Sequence, residues 1–255
     1  MEGSAERRPR GPRRASTEDE ILDAALTLLD EGGSNAATLR GIAAKVDVAP
    51  NAVYTYFPDK AAVFKALVER LLGQVYHGVF ADRGQPWRQR VESLALELRA
   101  RLTAHPGAVG LVIGGPMDGP QARALNERLL ELLADAGLST FDAARAAHLL
   151  LVYVFGSIAL EVADHGQAGP LPPESERTDS RHRAAAAAEP DRFPRSAAAA
   201  EVMAGYMSTQ QYVWGLHRML DGITASRARA TLADVGADST SELAPSYTAE
   251  DITGH

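Results

Sequence analysis

The sequence predicts an all-α chain of two domains: an N-terminal three-helix helix-turn-helix head and a larger C-terminal helical body. Three observations predict it. Apolar residues recur at spacings of three and four from Ile21 onward, the period of a helix with one buried face. No segment alternates apolar and polar residues between turn signals, as a half-buried strand would. Gly, Pro and capping residues cut the apolar pattern into short units near the N-terminus and longer ones after it. A chain of 255 residues can bury a core of its own.

The elements follow in order. Residues 1–16 hold five arginines interrupted by Pro9, Gly11 and Pro12, and read as a disordered arm. Thr17 is placed to cap a first helix, with Glu20 as the capping-box partner. Ile21, Leu22, Ala25, Leu28 and Leu29 form its inner stripe, and Gly32-Gly33 ends it. A second short helix runs from Leu39 to Lys45 after Thr38, and Val46-Asp47-Val48 reads as a turn. A third begins near Ala49-Pro50 and ends at Phe57-Pro58, since Pro suits a first helical turn. Asp59 is placed to cap a fourth, striped by Phe64, Leu67, Val68, Leu71 and Val75. Further helices fit 86–104, 106–113, 119–136 and 139–164. The stretch 166–194, rich in Pro, Ala, Ser, Arg and Glu, reads as a long mobile loop. One last helix is expected from Ser196 to Ile223, and residues 224–255 read as a disordered polar tail. The domain boundaries follow: arm 1–16, head 17–62, body 63–223 and tail 224–255.

Composition narrows the function classes. With no Cys there is no disulfide framework, thiolate metal site or cysteine nucleophile. The N-terminus has no apolar signal segment. The longest uncharged run, Ala146 to Leu160, has about 15 residues, short of the roughly 20 a membrane helix needs. A soluble cytoplasmic chain without a membrane partner is expected. Lysine occurs only at 45, 60 and 65 against abundant Arg and Ala, which suggests a high-GC bacterial source. Gly32-Gly33 and Gly114-Gly115 lack a phosphate-loop pattern, and no serine elbow is present. The seven histidines show no paired spacing beside an acid, and His148 falls on an apolar face. No catalytic constellation, metal site or cofactor is expected.

The short helices at 39–45 and 50–56 form a helix-turn-helix candidate. The corner between them is crowded, and Asp47 tolerates a positive φ there better than a β-branched residue would. Ile42, Ala43, Val48 and Val53 would pack the pair together, leaving Asn51, Ala52, Thr55 and Tyr56 to face a groove. The charge supports this weakly. The chain carries −7 overall, with +3 in the arm, six acids and no base over 17–31, and +1 over 32–60.

The run Thr38–Lys60 resembles the DNA-binding signature of the tetracycline-repressor (TetR) family. Thr38 precedes the second helix, Ile42-Ala43 lies within it, and Tyr54, an aromatic Phe57 and Lys60 follow at the family's spacing. It departs at Asp47, where the family usually has Gly. Leu102–Ala108, Leu130–Ser139 and Tyr212–Ile223 are similar to stretches of tetracycline-repressor-like regulatory domains. The resemblance implies a sequence-specific transcriptional regulator, most simply a repressor that leaves a palindromic double-stranded operator when a small effector binds. Thr38 would hydrogen-bond a phosphate at a helix N-terminus, Tyr54 and Lys60 would hold the backbone across the groove, and Arg40 and Tyr56 would join the DNA-binding surface. Pro50, Asn51, Ala52 and Thr55 would face base edges, Asn51 being best equipped for hydrogen bonds there. Arg13 and Arg14 would reach a minor groove.

In the body, the 141–163 helix is apolar on nearly every side around Leu149–Phe155 and needs cover all round. A homodimer supplies it, with Gly156 and Ser157 allowing close approach. The resemblance also implies an effector pocket lined by Phe64, Leu67, Leu71, Tyr76, Leu94, Leu98, Leu111, Pro116 and Tyr153. At the family's drug-anchoring positions stand Tyr76, Leu94, Leu98, Leu111 and Gly115. The metal-binding His is Leu111 here, while Glu161 keeps the acidic position. That combination disfavours magnesium-tetracycline and favours an apolar or amphipathic effector. The alternatives are a transcriptional activator, or a helical carrier or enzyme that would leave the helix-turn-helix unexplained. An acidic dimer would also bind non-specific DNA weakly, with a modest salt slope.

Overall fold

The computed structural model describes residues 18–75, 84–166, 169–186 and 190–241, without the side chains of 185–186 and 226–241. The expected arm 1–16, with Arg13 and Arg14, lies outside these residues, as do Thr17 and Tyr76. Among the described residues run twelve helices and no strand.

The head opens with α1 (Glu18–Ala36), which buries Ile21, Leu22, Ala25, Leu26 and Leu29. Its regular part stops where the sequence predicts, because Gly32 and Gly33 take φ of −158° and 67°. The second value favours glycine. α2 (Leu39–Lys45) starts at Thr38, whose Oγ1 accepts from the Gly41 N–H at 3.0 Å. Asp47 then turns the chain with φ 53°, the one positive non-glycine value among the described residues. α3 (Pro50–Tyr56) follows, with Pro50 in its first turn. Ile42, Ala43 and Val53 are fully buried, and Val48 packs against them, as their spacing requires. α4 (Lys60–Gly73) is capped by Asp59, which accepts from the Ala62 N–H at 2.8 Å.

The body begins within α4 and continues with α5 (Trp87–Ala104), α6 (Pro106–Gly114), α7 (Pro120–Asp135) and α8 (Thr140–His165), then α9 (Glu174–Ala186), α10 (Pro194–Ala198), α11 (Ala200–Ala204) and α12 (Thr209–Ser241). α8 is capped by Ser139, which accepts from the Asp142 N–H, and ends at the left-handed Gly166. Buried side chains from α1 to α8 and from α12 form one continuous core, so head and body share their packing.

Two contacts set α1 and α4 on the helices that follow. α1 packs along α6, where the Asp30 carboxylate accepts from the Gly107 N–H at 3.0 Å and meets His105 Nδ1 at 2.9 Å. α4 packs along α7, where Glu69 accepts from the Gln121 N–H at 2.7 Å and Lys65 meets Asp118 at 3.0 Å. Gly107 passes so close to the Leu29 carbonyl that any Cβ would strike backbone. Gly107→Ala is therefore expected to cost about 1–3 kcal/mol through overpacking. Thermal unfolding checks it, and an unchanged Tm would show that the approach is not tight in solution.

The structure departs from expectation in five places. The 166–194 stretch is not a loop throughout: Glu174–Ala186 is helical. Its composition misled because Ala, Arg and Glu are good helix formers as well as loop residues. Glu174 and Glu176 in the first turn and Arg183 in the last also suit the helix dipole. The expected single helix from Ser196 is interrupted at Gly205–Ser208, and α12 restarts with Ser208 Oγ accepting from the Gln211 N–H. Residues 224–241, expected as tail, continue α12. His148, placed on an apolar face, is exposed. Finally, α8 spans 26 residues and is long and apolar enough by length and composition to cross a membrane, although its uncharged run is shorter. In this fold its inner side carries Ala147, Leu150, Val154 and Ile158 into the core.

Candidate nucleic-acid interface and ligand cavity

α3 presents one face outward because Val53 fixes the other. Its outer positions Pro50, Asn51, Tyr54, Thr55 and Tyr56 are all exposed, and Ala52 is half-buried. Asn51 and Thr55 stand one turn apart, and the Thr55 hydroxyl donates back to the Asn51 carbonyl at 3.2 Å. Asn51 thus keeps an amide with both donor and acceptor on the outer surface, the pattern that adenine edges match. Thr38 is exposed; its oxygen caps α2, and its O–H remains available as a donor. Arg40, the second residue of the same helix, is also exposed. Lys60 is directed differently from the expected backbone contact. Its ammonium donates to the Ser34 carbonyl and lies 5.0 Å from the Phe64 ring centre.

The pocket candidates divide. Leu94 and Leu98 line an apolar cavity of about 20 Å³ together with Val91, Ala95, Leu129, Leu150, Leu151 and Val154. Leu67 and Leu71 are buried in the core, while Phe64 and Leu111 pack half-buried against it, away from that cavity. Pro116 is exposed. Tyr153 stands beside the cavity rather than in its lining. Its hydroxyl donates to the Tyr212 carbonyl at 2.7 Å, and the two rings stack with centres 5.8 Å apart. Gly215 makes room for this, since a Cβ there would strike the Tyr153 hydroxyl. The Tyr212 hydroxyl donates to the carbonyl of cavity-lining Ala95 at 2.9 Å. Burial pushes both phenols above their ordinary pKa.

Beside the two tyrosines lies a polar network that the sequence did not reveal. Glu161 is 3% exposed. One of its oxygens meets Arg99 Nε at 2.7 Å; the other meets Arg99 Nη2 at 2.7 Å and Arg177 at 2.8 Å. Arg99 also donates to Glu174 at 3.0 Å and to Thr209 Oγ1 at 2.6 Å, and its guanidinium lies 5.7 Å from the Tyr212 ring centre. Burial opposes the charge on Arg99, but Glu161 and Glu174 more than offset it and hold its pKa above the usual value. Burial likewise pushes Glu174 up, yet the hydrogen bonds from Thr209 and the nearby Arg99 hold its carboxyl below the usual range. With both oxygens occupied by guanidinium groups, Glu161 does not fit a role as a magnesium ligand.

The joint that Asp30 makes with His105 and Gly107 was not expected from the sequence. A short helix opening on His105-Pro106-Gly107 was the available signal, since Gly beside Pro in a first turn marks a close backbone approach. Arg99, Arg177 and Glu174 gave no such signal, because charged residues on helices are ordinarily solvated.

One apolar face of the body stays open. Leu149, Val152 and Leu160 on α8 are 48%, 55% and 61% exposed. With Gly156 they stand at spacings of three and four on one stripe, and nothing lies within 4 Å of where a Gly156 Cβ would be. On α12, Trp214 is 58% exposed.

Residues 21–67 match the family model for bacterial regulatory proteins of the tetR family, and residues 80–227 match the tetracyclin repressor-like C-terminal domain. An HTH-type transcriptional regulator of Saccharopolyspora erythraea is 31% identical over 145 residues, which are 57% of this chain and 61% of that protein. The HTH-type transcriptional repressor DrrR1 of Streptomyces coeruleorubidus is 29% identical over 153 residues, 59% of this chain and 56% of its own length. The chain thus spans less than two thirds of either relative. A crystal structure from Streptomyces coelicolor A3(2), described as a possible TetR family transcriptional regulator, superposes with a TM-score of 0.69 at 28% identity, over 82% of this chain and 100% of that one.

Proposed function

The chain belongs to the tetracycline-repressor (TetR) family of bacterial regulatory proteins, and from that premise we propose that it is a homodimeric transcriptional repressor released from operator DNA by a small-molecule effector. The observation that carries the DNA assignment is the outward face of α3. Asn51, Tyr54, Thr55 and Tyr56 are exposed on a helix whose other side is anchored by fully buried Val53. In this reading Pro50, Asn51, Ala52, Thr55 and Tyr56 face the major groove while Thr38, Arg40 and Tyr54 hold phosphates. Lys60 joins them by exchanging the Ser34 carbonyl for a phosphate, and Arg13 and Arg14 reach the minor groove. The head is 17–62 and the body 63–223. The open stripe of α8 with Trp214 of α12 pairs with a second copy, which sets two heads on a palindromic site. The protein acts in the cytoplasm, on the nucleoid when DNA-bound.

The effector is apolar or amphipathic, because the cavity between α5, α7 and α8 is lined by Leu, Val and Ala alone. At about 20 Å³ it is closed compared with the roughly 300–1,000 Å³ of a site that holds a drug-sized ligand. Effector binding opens it, and the opening and the loss of DNA affinity are reciprocal.

A gel shift on the chain's own upstream intergenic DNA tests the reading. The wild type is expected to give a specific shift, and Asn51→Ala with Tyr54→Ala to weaken it about tenfold or more, since the base contact of Asn51 is worth about 1–3 kcal/mol and the phosphate contact of Tyr54 is lost with it. No specific wild-type shift at moderate salt would count against the assignment.

A further inference from the structure

We propose that residues 169–186 form a charge-held strap that links the effector cavity to the head by a route separate from the α1–α6 and α4–α7 packing. Four observations carry it. First, α9 buries no apolar side chain among its described residues. Apart from packing against α11, it is held by polar contacts. Arg177 pairs with Glu161, Glu174 with Arg99 and with both donors of Thr209, and Arg181 with Asp164.

Second, the chain just before α9 docks on the head. The Gly169 N–H donates to the Asp30 carbonyl at 2.8 Å, and the Pro172 carbonyl is held by Arg177 Nε at 3.0 Å. One side chain, Arg177, therefore ties the strap both to its own leading segment and to Glu161. Third, Asp30 is also the residue whose carboxylate holds His105 and Gly107, so the strap ends on the joint between head and body. Fourth, the other end touches the cavity wall. Arg99 follows cavity-lining Leu98 in sequence and covers Tyr212, whose hydroxyl is fixed on Ala95.

The device is two-state for a physical reason. The carboxylates of Glu161 and Glu174 and the guanidinium groups of Arg99 and Arg177 balance one another, so losing one of them leaves a net charge in a largely buried network, and such contacts are made or lost together. A strap without apolar burial has little else to hold it once they are lost. It is also incompletely satisfied, since Arg177 Nη1 and Arg181 Nη1 are buried without a hydrogen-bond partner among the described residues. A ligand that widens the cavity moves Tyr212 and Arg99, releases Glu161 and Glu174, and frees the segment that holds Asp30. The link itself does not depend on the DNA-reading assignment; only its regulatory consequence rests on it.

Hydrogen exchange read by mass spectrometry on the full chain tests the link, comparing wild type with Arg177→Met and Glu161→Gln. In Arg177→Met, exchange over 169–186 is expected to rise about tenfold or more. It should rise with it, about threefold or more, over 26–33 and 105–108, while 119–125 at the α4–α7 contact keeps its rate. Glu161→Gln should show the same pattern. Faster exchange in the strap with 26–33 and 105–108 unchanged would overturn the link. So would an unchanged strap, or an equal rise that includes 119–125, which would mean general loosening. The regulatory consequence is read on a duplex enriched by the wild type from a random pool. Arg177→Met should change its apparent Kd by about threefold or more, and an unchanged Kd beside changed exchange would overturn that consequence. If the wild type enriches no duplex, the DNA assignment fails, and exchange alone decides the link.

Discussion

Replacing Glu161 with Ala is expected to destabilise the protein by about 3–5 kcal/mol, the cost of breaking a buried ion pair from one side. Glu161 is 3% exposed, and its two oxygens bind Arg99 and Arg177, each 11% exposed. The substitution leaves Arg177 buried without its carboxylate and Arg99 with Glu174 alone. Urea unfolding should show the midpoint falling sharply with the slope m kept, because the surface exposed on unfolding hardly changes. The control is a triple variant, Glu161→Leu with Arg99→Met and Arg177→Met. Replacing these three charges by apolar groups of similar volume leaves only Glu174, which is 36% exposed and keeps its Thr209 hydrogen bonds, so it should recover much of the loss. A loss below about 1 kcal/mol for Glu161→Ala would mean that the network is solvated and screened, as surface pairs are.

Val152→Glu with Leu160→Glu is expected to turn a dimer into a folded monomer and to weaken operator binding about 100-fold or more, because a second head at high effective concentration is lost. Both side chains are more than half exposed on the open stripe, whereas Val154 and Ile158 between them are buried. Charge at 152 and 160 therefore meets solvent in the monomer and a partner's apolar face in the dimer. Sedimentation velocity checks the mass, circular dichroism the fold and a gel shift the binding. A double variant that stays dimeric would place the interface elsewhere on the body.

Much of the fold was legible in the chain because local rules and burial agree there. Ile42, Ala43 and Val53 are buried at the spacing of two packed helices. Asp47 takes the positive φ that the corner demands, and Thr38, Asp59 and Ser139 cap the helices that they precede. The outward face of α3 was legible for the same reason, since one buried position in a seven-residue helix fixes what the others face. Legibility failed where helices carry no apolar stripe. α9 reads as a loop because nothing in 174–186 looks inward, and its position comes from partners at Arg99, Glu161 and Thr209, far away in the chain. The pocket list was only partly legible. Leu67, Leu94 and Leu98 are alike in character, and only packing decides which of them border a void and which fill the core.

The sequence by itself determined the all-α class, the helix-turn-helix with its outward residues and the family. Those depend on periodicity, caps and turn residues that act over a few positions. The tertiary structure alone decided that Asp30 joins head to body, that Lys60 turns toward Ser34, and that Glu161 is engaged by arginines from two other helices. Each of these pairs residues separated by 16 to 77 positions. A polar side chain carries no periodic signature of its partner, so its role appears only when packing brings that partner within hydrogen-bond reach.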